Sequence, residues 1–389
     1  MGQNGKTIAG SLLLILGMLG QGVHAQGNGR GKKEISGAGV FHLGQDRDMW
    51  RPLIQMTVNL SEVTSIKSTF QLRTFDPEGT VFYGDTKGGE DWFVLSLKEG
   101  FPLMQISKEN MLLSVAGGPK LNDGKWHTLE VSNQGKFVVL VVDRTQPLVV
   151  GLQPKVKEES LAGVLRLAVG GILINKAKLL VQYKPQIDGC VREGNWLNLS
   201  TPWETEEEEM WPCHENIKPG SYFVGKGFAV FNYSVLPKQT EQGITLEFWG
   251  DMNEMEGTIC SIKNPDQEPI FHIVADKITK KLILTLGSDK ITMKSSSRRL
   301  RVTFLTDVLT VHLDEIVSEA MISVSEESQA GYSDIWTVGS LSIGGLLGED
   351  NTGSHFLTGC LEKIQIQGKN LDMNLADKEM SINSHSCPA

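Results

Sequence analysis

The chain has 389 residues, of which 40% are hydrophobic, and its formal net charge is -9. This composition is typical of a globular protein, and the length is sufficient for two or three domains. The negative charge argues against nucleic acid and against anionic membrane surfaces as partners, because both require a basic protein surface.

The first 25 residues have the features of a secretory signal peptide. Lys6 supplies the positive start, an apolar run follows over residues 8–19, and Val-His-Ala at residues 23–25 fits the small-x-Ala cleavage pattern. The apolar run is too short to span a bilayer. We therefore expect a secreted, extracellular protein without membrane insertion, whose mature chain begins at Gln26.

Short runs in which apolar and polar residues alternate dominate the next part of the chain. Residues 26–45 are rich in glycine, and we expect them to form a flexible N-terminal segment. From residue 46 to about residue 187, apolar side chains recur two apart, as in Phe93, Leu95 and Leu97, and turn residues separate the runs. This period predicts strands joined by hairpins, and many short strands predict an all-β antiparallel sandwich.

The pattern is repeated after an acidic stretch. Residues 201–212 read TPWETEEEEMWP, which predicts a solvated linker. Beyond it, GITLEFWGDMNEMEGTICSI echoes STFQLRTFDPEGTVFYGDT, and both halves carry Gly-Gly, then Gly-Cys, then a second cysteine. This is a tandem repeat of one domain type. We predict a first domain over residues 46–200, an acidic linker over 201–217 and a second domain over 218–389.

Five cysteines follow the signal peptide, and outside the cell they should be largely oxidised. The simplest pairing places one bridge in each repeat, Cys190–Cys213 and Cys360–Cys387. Cys260 is then left as a buried free thiol in an apolar strand. Three Asn-x-Ser sequons predict N-glycosylation at Asn59, Asn198 and Asn232.

The first repeat resembles the laminin G-like domain. Its landmarks are Arg-Thr-x-x-Pro-x-Gly before an aromatic strand, then Asp-Trp-Phe, then DGKWH at residues 123–127, then Val-Asp, Gly-Gly and Gly-Cys. A signal peptide with two such domains and no other module resembles the family's extracellular carriers of sex steroids, androgens and oestrogens. The resemblance implies two tandem jelly-roll sandwiches, a steroid pocket inside the first domain and a homodimer built through that domain. It also implies that the carrier regulates the availability of its steroids.

The resemblance further implies which residues contact the steroid. Ser68 falls at the anchor for the ketone end, and Asp91 falls at the partner of the far hydroxyl. Phe93 falls against the steroid face. Side chains alternate between the two faces of a strand. An even spacing from apolar residues of the same strand therefore tests whether each position faces the interior. Each implied position shares a face with apolar residues of its own strand, as an internal pocket requires. The full set is Ser68, Asp91, Phe93, Lys108, Asn133 and Leu165.

Three of these positions have open alternatives. From the residues alone, a surface acid at a loop edge is the favoured interpretation of Asp91, and ordinary core is compatible with a pocket role for Phe93. Lys108 falls at a second partner for the hydroxyl, but lysine only donates hydrogen bonds. It either pairs with Asp91 while donating to a steroid oxygen, or extends to the pocket rim. The preference among steroids is therefore open.

The turn at residues 76–79, Asp-Pro-Glu-Gly, has the sequence of a type I turn. The resemblance implies a calcium site there, with Asp76, Glu78 and a backbone carbonyl near Gln186 as ligands. Turn chemistry alone explains the same residues. Some members of the family also have a zinc site built from two histidines. Glu109 and Ala162 occupy those places here, so we expect no zinc site.

We predict that the remaining acids of this region, Asp85 and Glu90, lie with Gly88 and Gly89 in a solvated loop. Asp76 and Glu78 share one tight turn and cannot flank a cleft as glycosidase carboxylates do. The chain also has no nucleophile elbow, HExxH, P-loop or GxGxxG, so we expect no enzyme.

The main alternative function is also binding. A laminin G-type extracellular ligand would engage a cell-surface receptor, a matrix protein or a matrix glycan through its surface. Such a surface often carries a basic patch, but the only tight basic cluster in the sequence, KSSSRRLR at residues 294–301, fits a strand edge and loop better.

Overall fold

The structure is a computed structural model of the chain. It describes residues 32–389 apart from the following gaps: 46–47, 87, 110, 135–136, 152–162, 241–242, 266–267, 306–307, 315, 324–335, 337–338, 349–352 and 380–381. The predicted signal peptide and residues 26–31 lie outside the described residues. Within the described part, no helix has the length and apolar character needed to cross a bilayer.

The first repeat forms two antiparallel sheets, with single 3-10 turns at Leu60–Glu62 and Lys176–Lys178. Its strands are β1 Lys33–Ile35, β2 Phe41–His42, β3 Ile54–Asn59, β4 Lys67–Thr74, β5 Gly79–Thr86, β6 Asp91–Lys98, β7 Phe101–Lys108, β8 Met111–Ala116, β9 His127–Gln134, β10 Phe137–Val142, β11 Leu148–Gly151, β12 Val164–Val169, β13 Gly189–Trp196 and β14 Trp203–Thr205. One sheet has the order β1-β14-β3-β12-β5-β6-β7-β8, and the other β11-β10-β9-β4-β13-β2.

The core of the first repeat lies between these sheets. Alternate residues of each strand face inward, and an aromatic group fills the centre of the core. Trp196 of β13 stacks on Phe70 of β4 and Phe82 of β5, with ring centroids 5.1 and 5.4 Å away. The larger sheet also has a covered outer face, where Tyr83 and Trp92 pack under the segment 172–183. Strands β5 and β6 are therefore buried on both faces, which explains their nearly continuous apolar sequence.

The second repeat has the same two-layer arrangement, with 3-10 turns at Tyr233–Val235, Met252–Glu254 and Met373–Leu375. Its strands are β15 Ile217–Pro219, β16 Ser221–Val224, β17 Phe228–Asn232, β18 Ile244–Trp249, β19 Gly257–Lys263, β20 Phe271–Asp276, β21 Lys281–Leu286, β22 Asp289–Lys294, β23 Arg299–Phe304, β24 Val308–Leu313, β25 Ile316–Ser323, β26 Ser340–Ile343, β27 Leu346–Leu347, β28 Gly353–Ser354, β29 Thr358–Leu361, β30 Lys363–Ile366, β31 Lys369–Asn370, β32 Asp377–Glu379, β33 Ile382–Asn383 and β34 Ser386–Pro388.

The two main sheets of the second repeat are β22-β21-β20-β19-β26-β17-β32 and β25-β24-β23-β18-β30-β31. They enclose a separate apolar core, in which Phe271 and Phe304 meet edge to face at 4.9 Å. Short pairs β15-β34 and β27-β28 and the group β29-β16-β33 complete the repeat. The all-β prediction of two antiparallel sandwiches in tandem is confirmed.

Two segments predicted as connections contribute strands instead. β1, inside the predicted flexible segment, pairs with β14, inside the predicted acidic linker. The reason is Trp203, whose side chain is fully buried and brings its strand onto the sheet. Gly37 allows this packing, because a Cβ there would lie 2.2 Å from the Trp203 indole. The predicted domain boundaries themselves stay a prediction.

The acidic run is also less solvated than expected. Arg51 donates to Glu206 at 2.7 Å and to Glu207 at 3.0 Å, and Glu207 is buried. The Gln45 amide donates to the Glu209 carbonyl at 2.6 Å. Part of the run therefore packs on the first repeat through contacts that are distant in sequence.

Candidate functional site

A cavity opens between the two sheets of the first repeat. The space that the centre of a water molecule can reach in it is about 170 Å³, and the total empty space out to its mouth is about 840 Å³. Strands β4 and β9 form one wall, and β5, β6, β7 and β12 form the other. Its lining includes all six residues predicted to contact a steroid, which are Ser68, Asp91, Phe93, Lys108, Asn133 and Leu165.

Most of the wall is apolar. Phe93 and Ile106 are cross-strand partners on β6 and β7, and Leu165 of β12 is buried. Val131 of β9 faces them from the other sheet. Asn133, one alternation further along β9, is exposed at the mouth. The cavity is thus an apolar slot with a few polar groups at defined places, as small-molecule sites usually are.

Ser68 is the buried polar group of this slot. Its side chain is 2% exposed, and its hydroxyl has no hydrogen-bond partner among the described residues. Leaving a buried hydroxyl unpaired costs roughly 1–3 kcal/mol. Ser68 is therefore placed to pair with a polar group of a bound molecule, since such a bond would recover that cost.

The opposite polar end of the slot is formed by neighbouring positions on two strands. The register pairs Trp92 with Ser107, so Asp91 and Lys108 lie next to each other across β6 and β7. The Asp91 carboxylate accepts the backbone N–H of Glu109 at 3.2 Å. Both side chains are half-buried. This end presents an acceptor and a charged donor to the cavity.

Asp85 was predicted to lie in a solvated loop, and that prediction is wrong. Asp85 belongs to β5, is 2% exposed and accepts two hydrogen bonds from Arg166 of β12. Its face is the outer one, shared with Tyr83, whose hydroxyl donates to Asp85 at 2.5 Å. Burial first, and then this bond to Asp85, raise the pKa of Tyr83. The available signal was Arg166, a lone charge in an apolar strand.

The structure brings the predicted calcium ligands to one place. The Lys184 N–H donates to Glu78 Oε2 at 2.9 Å, and the Asp188 N–H donates to Asp76 Oδ2 at 2.9 Å, so Gln186 lies in the segment beside this turn. Asp76 is fully buried. Among the described residues, no group of three or more His, Cys, Asp or Glu side chains is arranged to hold a metal ion.

The Asp76 carboxylate does not fit a calcium ion as it stands. Four donors surround its two oxygens, namely the N–H groups of Glu78 and Asp188, the Asn374 amide and the His385 ring. A carboxylate has about four lone-pair positions, so none is left for a cation. The calcium site stays a prediction. The predicted absence of zinc also stays untested, because Ala162 lies outside the described residues.

The predicted disulfides are confirmed. Cys190 pairs with Cys213 and Cys360 pairs with Cys387, while Cys260 is free and fully buried in β19. The three sequon asparagines are exposed. Two of them, Asn59 and Asn232, occupy equivalent places in the repeats, where each caps a 3-10 turn through its side-chain oxygen. Glycosylation itself stays a prediction.

Comparison with known proteins first defines the class. A family model described as "Laminin G domain" matches residues 72–200. The solved structure of the mouse laminin alpha1 chain, domains LG4-5, covers 92% of this chain and 96% of its own, with a TM-score of 0.60 and 17% identity. With the two observed sandwiches, these likenesses define a tandem laminin G-like protein.

Curated relatives narrow the class. Sex hormone-binding globulin of Oryctolagus cuniculus is 30% identical over 362 residues, covering 89% of this chain and 86% of the relative. The same protein of Phodopus sungorus is 28% identical, covering 87% and 84%. Growth arrest-specific protein 6 of Mus musculus is 26% identical, but the match covers 54% of it. The chain belongs to the sex hormone-binding globulin family.

Proposed function

We propose that the chain is a secreted, non-catalytic carrier that binds sex steroids in the cavity of the first repeat and so regulates their availability. A steroid is a rigid apolar slab with a polar group at each end. Burying about 400 Å² of its apolar surface would contribute on the order of 10 kcal/mol. The slot supplies apolar walls, with Ser68 on one sheet and the Asp91–Lys108 end on the other.

The observation that carries the proposal is the unpaired Ser68 hydroxyl. A core serine with no ligand role would usually find a partner, because buried polar groups are almost always hydrogen-bonded. Here the hydroxyl lines a cavity, so a ligand oxygen can supply the missing bond. The disulfides and the expected signal peptide support an extracellular location. The resemblance to the family adds to the proposal a homodimer built through the first repeat.

The test is equilibrium dialysis of the full chain with a radiolabelled androgen and a radiolabelled oestrogen. Saturable binding that weakens strongly in both Ser68→Ala and Asp91→Ala is the expected result. Exposed Ser114 on β8 offers the control Ser114→Ala, which should bind as the parent does. Absence of saturable steroid binding by the folded parent chain would reject the proposal.

The rival reading, a surface-binding ligand for matrix glycans, is weakened by the structure. Its basic cluster is largely neutralised by neighbouring acids. Arg299 and Arg301 both bond to the buried Glu247, and Arg298 bonds to Glu362 at 2.8 Å. A heparin column run at physiological salt separates the two readings, since a glycan-binding protein would be retained and a steroid carrier would not.

A further inference from the structure

Two buried carboxylates of the first repeat accept hydrogen bonds from donors of the second repeat in addition to those of their own. Asp76 follows β4 and is fully buried, and Asp188 precedes β13 and is 3% exposed. A buried carboxylate is costly unless it is paired and hydrogen-bonded. The source of the donors for these two groups therefore determines what holds this end of the first repeat in place.

Asp188 is bound by the last strand of the chain. Its Oδ2 accepts the backbone N–H groups of His385 at 2.7 Å and Ser386 at 2.8 Å, and the Ser386 hydroxyl donates at 3.0 Å. Within its own repeat, Asp188 Oδ1 lies 3.2 Å from His42 Nε2. Burial alone would raise the pKa of Asp188, but the His42 contact and the His385 N–H outweigh it, so the pKa is lowered.

Asp76 is bound by two elements of the second repeat. Its Oδ1 accepts the Asn374 amide at 2.7 Å, and its Oδ2 lies 3.2 Å from His385 Nδ1. Asn374 is itself fixed, because its N–H donates to Asp372 at 2.8 Å and its Oδ1 accepts Lys378 Nζ at 3.2 Å. The donors are therefore held in place by their own repeat.

The charges of the cluster are balanced by the protein. His385 lies between two acids, with its Nδ1 3.2 Å from Asp76 Oδ2 and its Nε2 3.6 Å from Asp372 Oδ1. Lys378 adds a positive group beside Asn374. A divalent cation on Asp76 would have to displace the donors that occupy its lone pairs and would lie near the Lys378 charge, so both features disfavour it.

We propose that Asp76, Asp188, Asn374, His385 and Ser386 form an interdomain latch that fixes the second repeat to the first with the protein's own donors in place of a metal ion. The first repeat contributes two acceptors, and the second contributes side-chain and backbone donors. The latch does not depend on steroid binding. It joins the segment around His385 and Ser386 to the turn that follows β4. Strand β4 also carries Ser68 of the cavity.

The test uses the full chain with three variants, Asn374→Leu, His385→Gln and Asp188→Asn. Each removes a latch group at nearly constant volume. The control is Glu362→Gln, which removes a partly exposed acid that pairs with Lys218 and Arg298, both outside the latch. Cleavage by a glutamate-specific protease at Glu208 and Glu209 in the connection reports opening. Small-angle scattering reports the separation of the repeats.

We expect cleavage to accelerate roughly tenfold or more in the latch variants but not in the control. Glu208 and Glu209 are exposed, but a protease must bind the connection in an extended, released form, and the latch restrains that release. The radius of gyration should rise in the same variants while far-UV circular dichroism keeps its β signal. After chelation, adding calcium should leave the parent's cleavage rate and melting temperature unchanged.

Two results would overturn the latch. One is parent-like cleavage and scattering in all three variants. The other is a calcium-dependent rise in melting temperature that Asp76→Asn abolishes, since this would make Asp76 a metal ligand. Asn374→Leu and His385→Gln change only the second repeat, so misfolding of Asp188→Asn would leave the test intact.

Discussion

Arg166 holds the buried Asp85 carboxylate with two hydrogen bonds, from Nε to Oδ1 at 2.8 Å and from Nη2 to Oδ2 at 2.6 Å. The pair joins β12 to β5 on the outer face of the sheet whose inner face forms one wall of the cavity. It also lies beside the loop that leads to Asp91, where a Cβ added at Gly89 would come within 3.5 Å of Arg166 Nη2. Lys178 anchors that loop through the Gly89 carbonyl at 3.0 Å. Asp85 thus helps to fix the position of this cavity wall from the outer face of its sheet.

Asp85→Asn should weaken steroid binding without contacting the steroid. The change keeps the shape but removes the charge that Arg166 requires, so β5 and the loop before Asp91 lose a constraint. We expect about fivefold weaker binding, equivalent to about 1 kcal/mol, and faster steroid dissociation. Rapid-dilution measurements of the dissociation rate check this.

A matched control exists in the second repeat. Glu247 is also a buried carboxylate that pairs with a partly exposed arginine, Arg299, at 2.7 Å. Glu247→Gln should lower the melting temperature by an amount similar to that of Asp85→Asn but leave the dissociation rate unchanged. Equal effects of both variants on dissociation would show that Asp85 acts only through global stability.

Ser68→Ala should separate stability from binding. The hydroxyl has no partner in the free protein, so its removal should leave the melting temperature unchanged or raise it slightly. Steroids with a ketone at this end should bind about threefold to tenfold more weakly, because a hydrogen bond contributes roughly 0.5–1.5 kcal/mol. Differential scanning fluorimetry and equilibrium dialysis measure the two effects. A lowered melting temperature without weaker binding would make Ser68 a structural residue.

Lys108→Met should change the preference of the site between steroids that carry a hydroxyl and steroids that carry a ketone at the Asp91 end. A steroid hydroxyl can donate to Asp91 and accept from Lys108, whereas a ketone can only accept. Loss of the lysine should therefore weaken a ketone ligand more than its matched hydroxyl ligand. Asp91→Asn should shift the ratio the other way, because its amide can donate to a ketone. Competition assays with the matched pair give both ratios, and unchanged ratios would place Lys108 outside the site.

Cys260 should resist thiol reagents in the folded protein. It is fully buried between the sheets of the second repeat, and burial raises the pKa of its thiol, so little thiolate forms. We expect no reaction with Ellman's reagent at pH 8 in the native state and one equivalent after denaturation in guanidinium. Rapid labelling of the native protein would contradict the buried position.

Local patterns predicted much of this protein correctly. Period-two alternation identified the strands and their inward faces, because the pleat places every second side chain on the same side of a sheet. The family resemblance implied that Ser68, Phe93 and Leu165, though far apart in the chain, contact one ligand; this alternation agreed with it, and all three line one cavity. The repeated Gly-Cys landmarks likewise predicted both disulfides, since each repeat closes its own loop.

Contacts between distant residues were decided by the tertiary structure. Asp85 looked like a loop acid because neither its neighbours nor its spacing reveals Arg166, which lies 81 positions away. The glycines of the N-terminal segment suggested mobility, but Gly37 gives room to the indole of Trp203. Asp76 had the sequence of a turn acid and a calcium ligand, and only the packing of the second repeat supplied it with Asn374 and His385. The local sequence determines which chemical group a residue offers. The fold determines which partners reach that group, because it brings distant parts of the chain together.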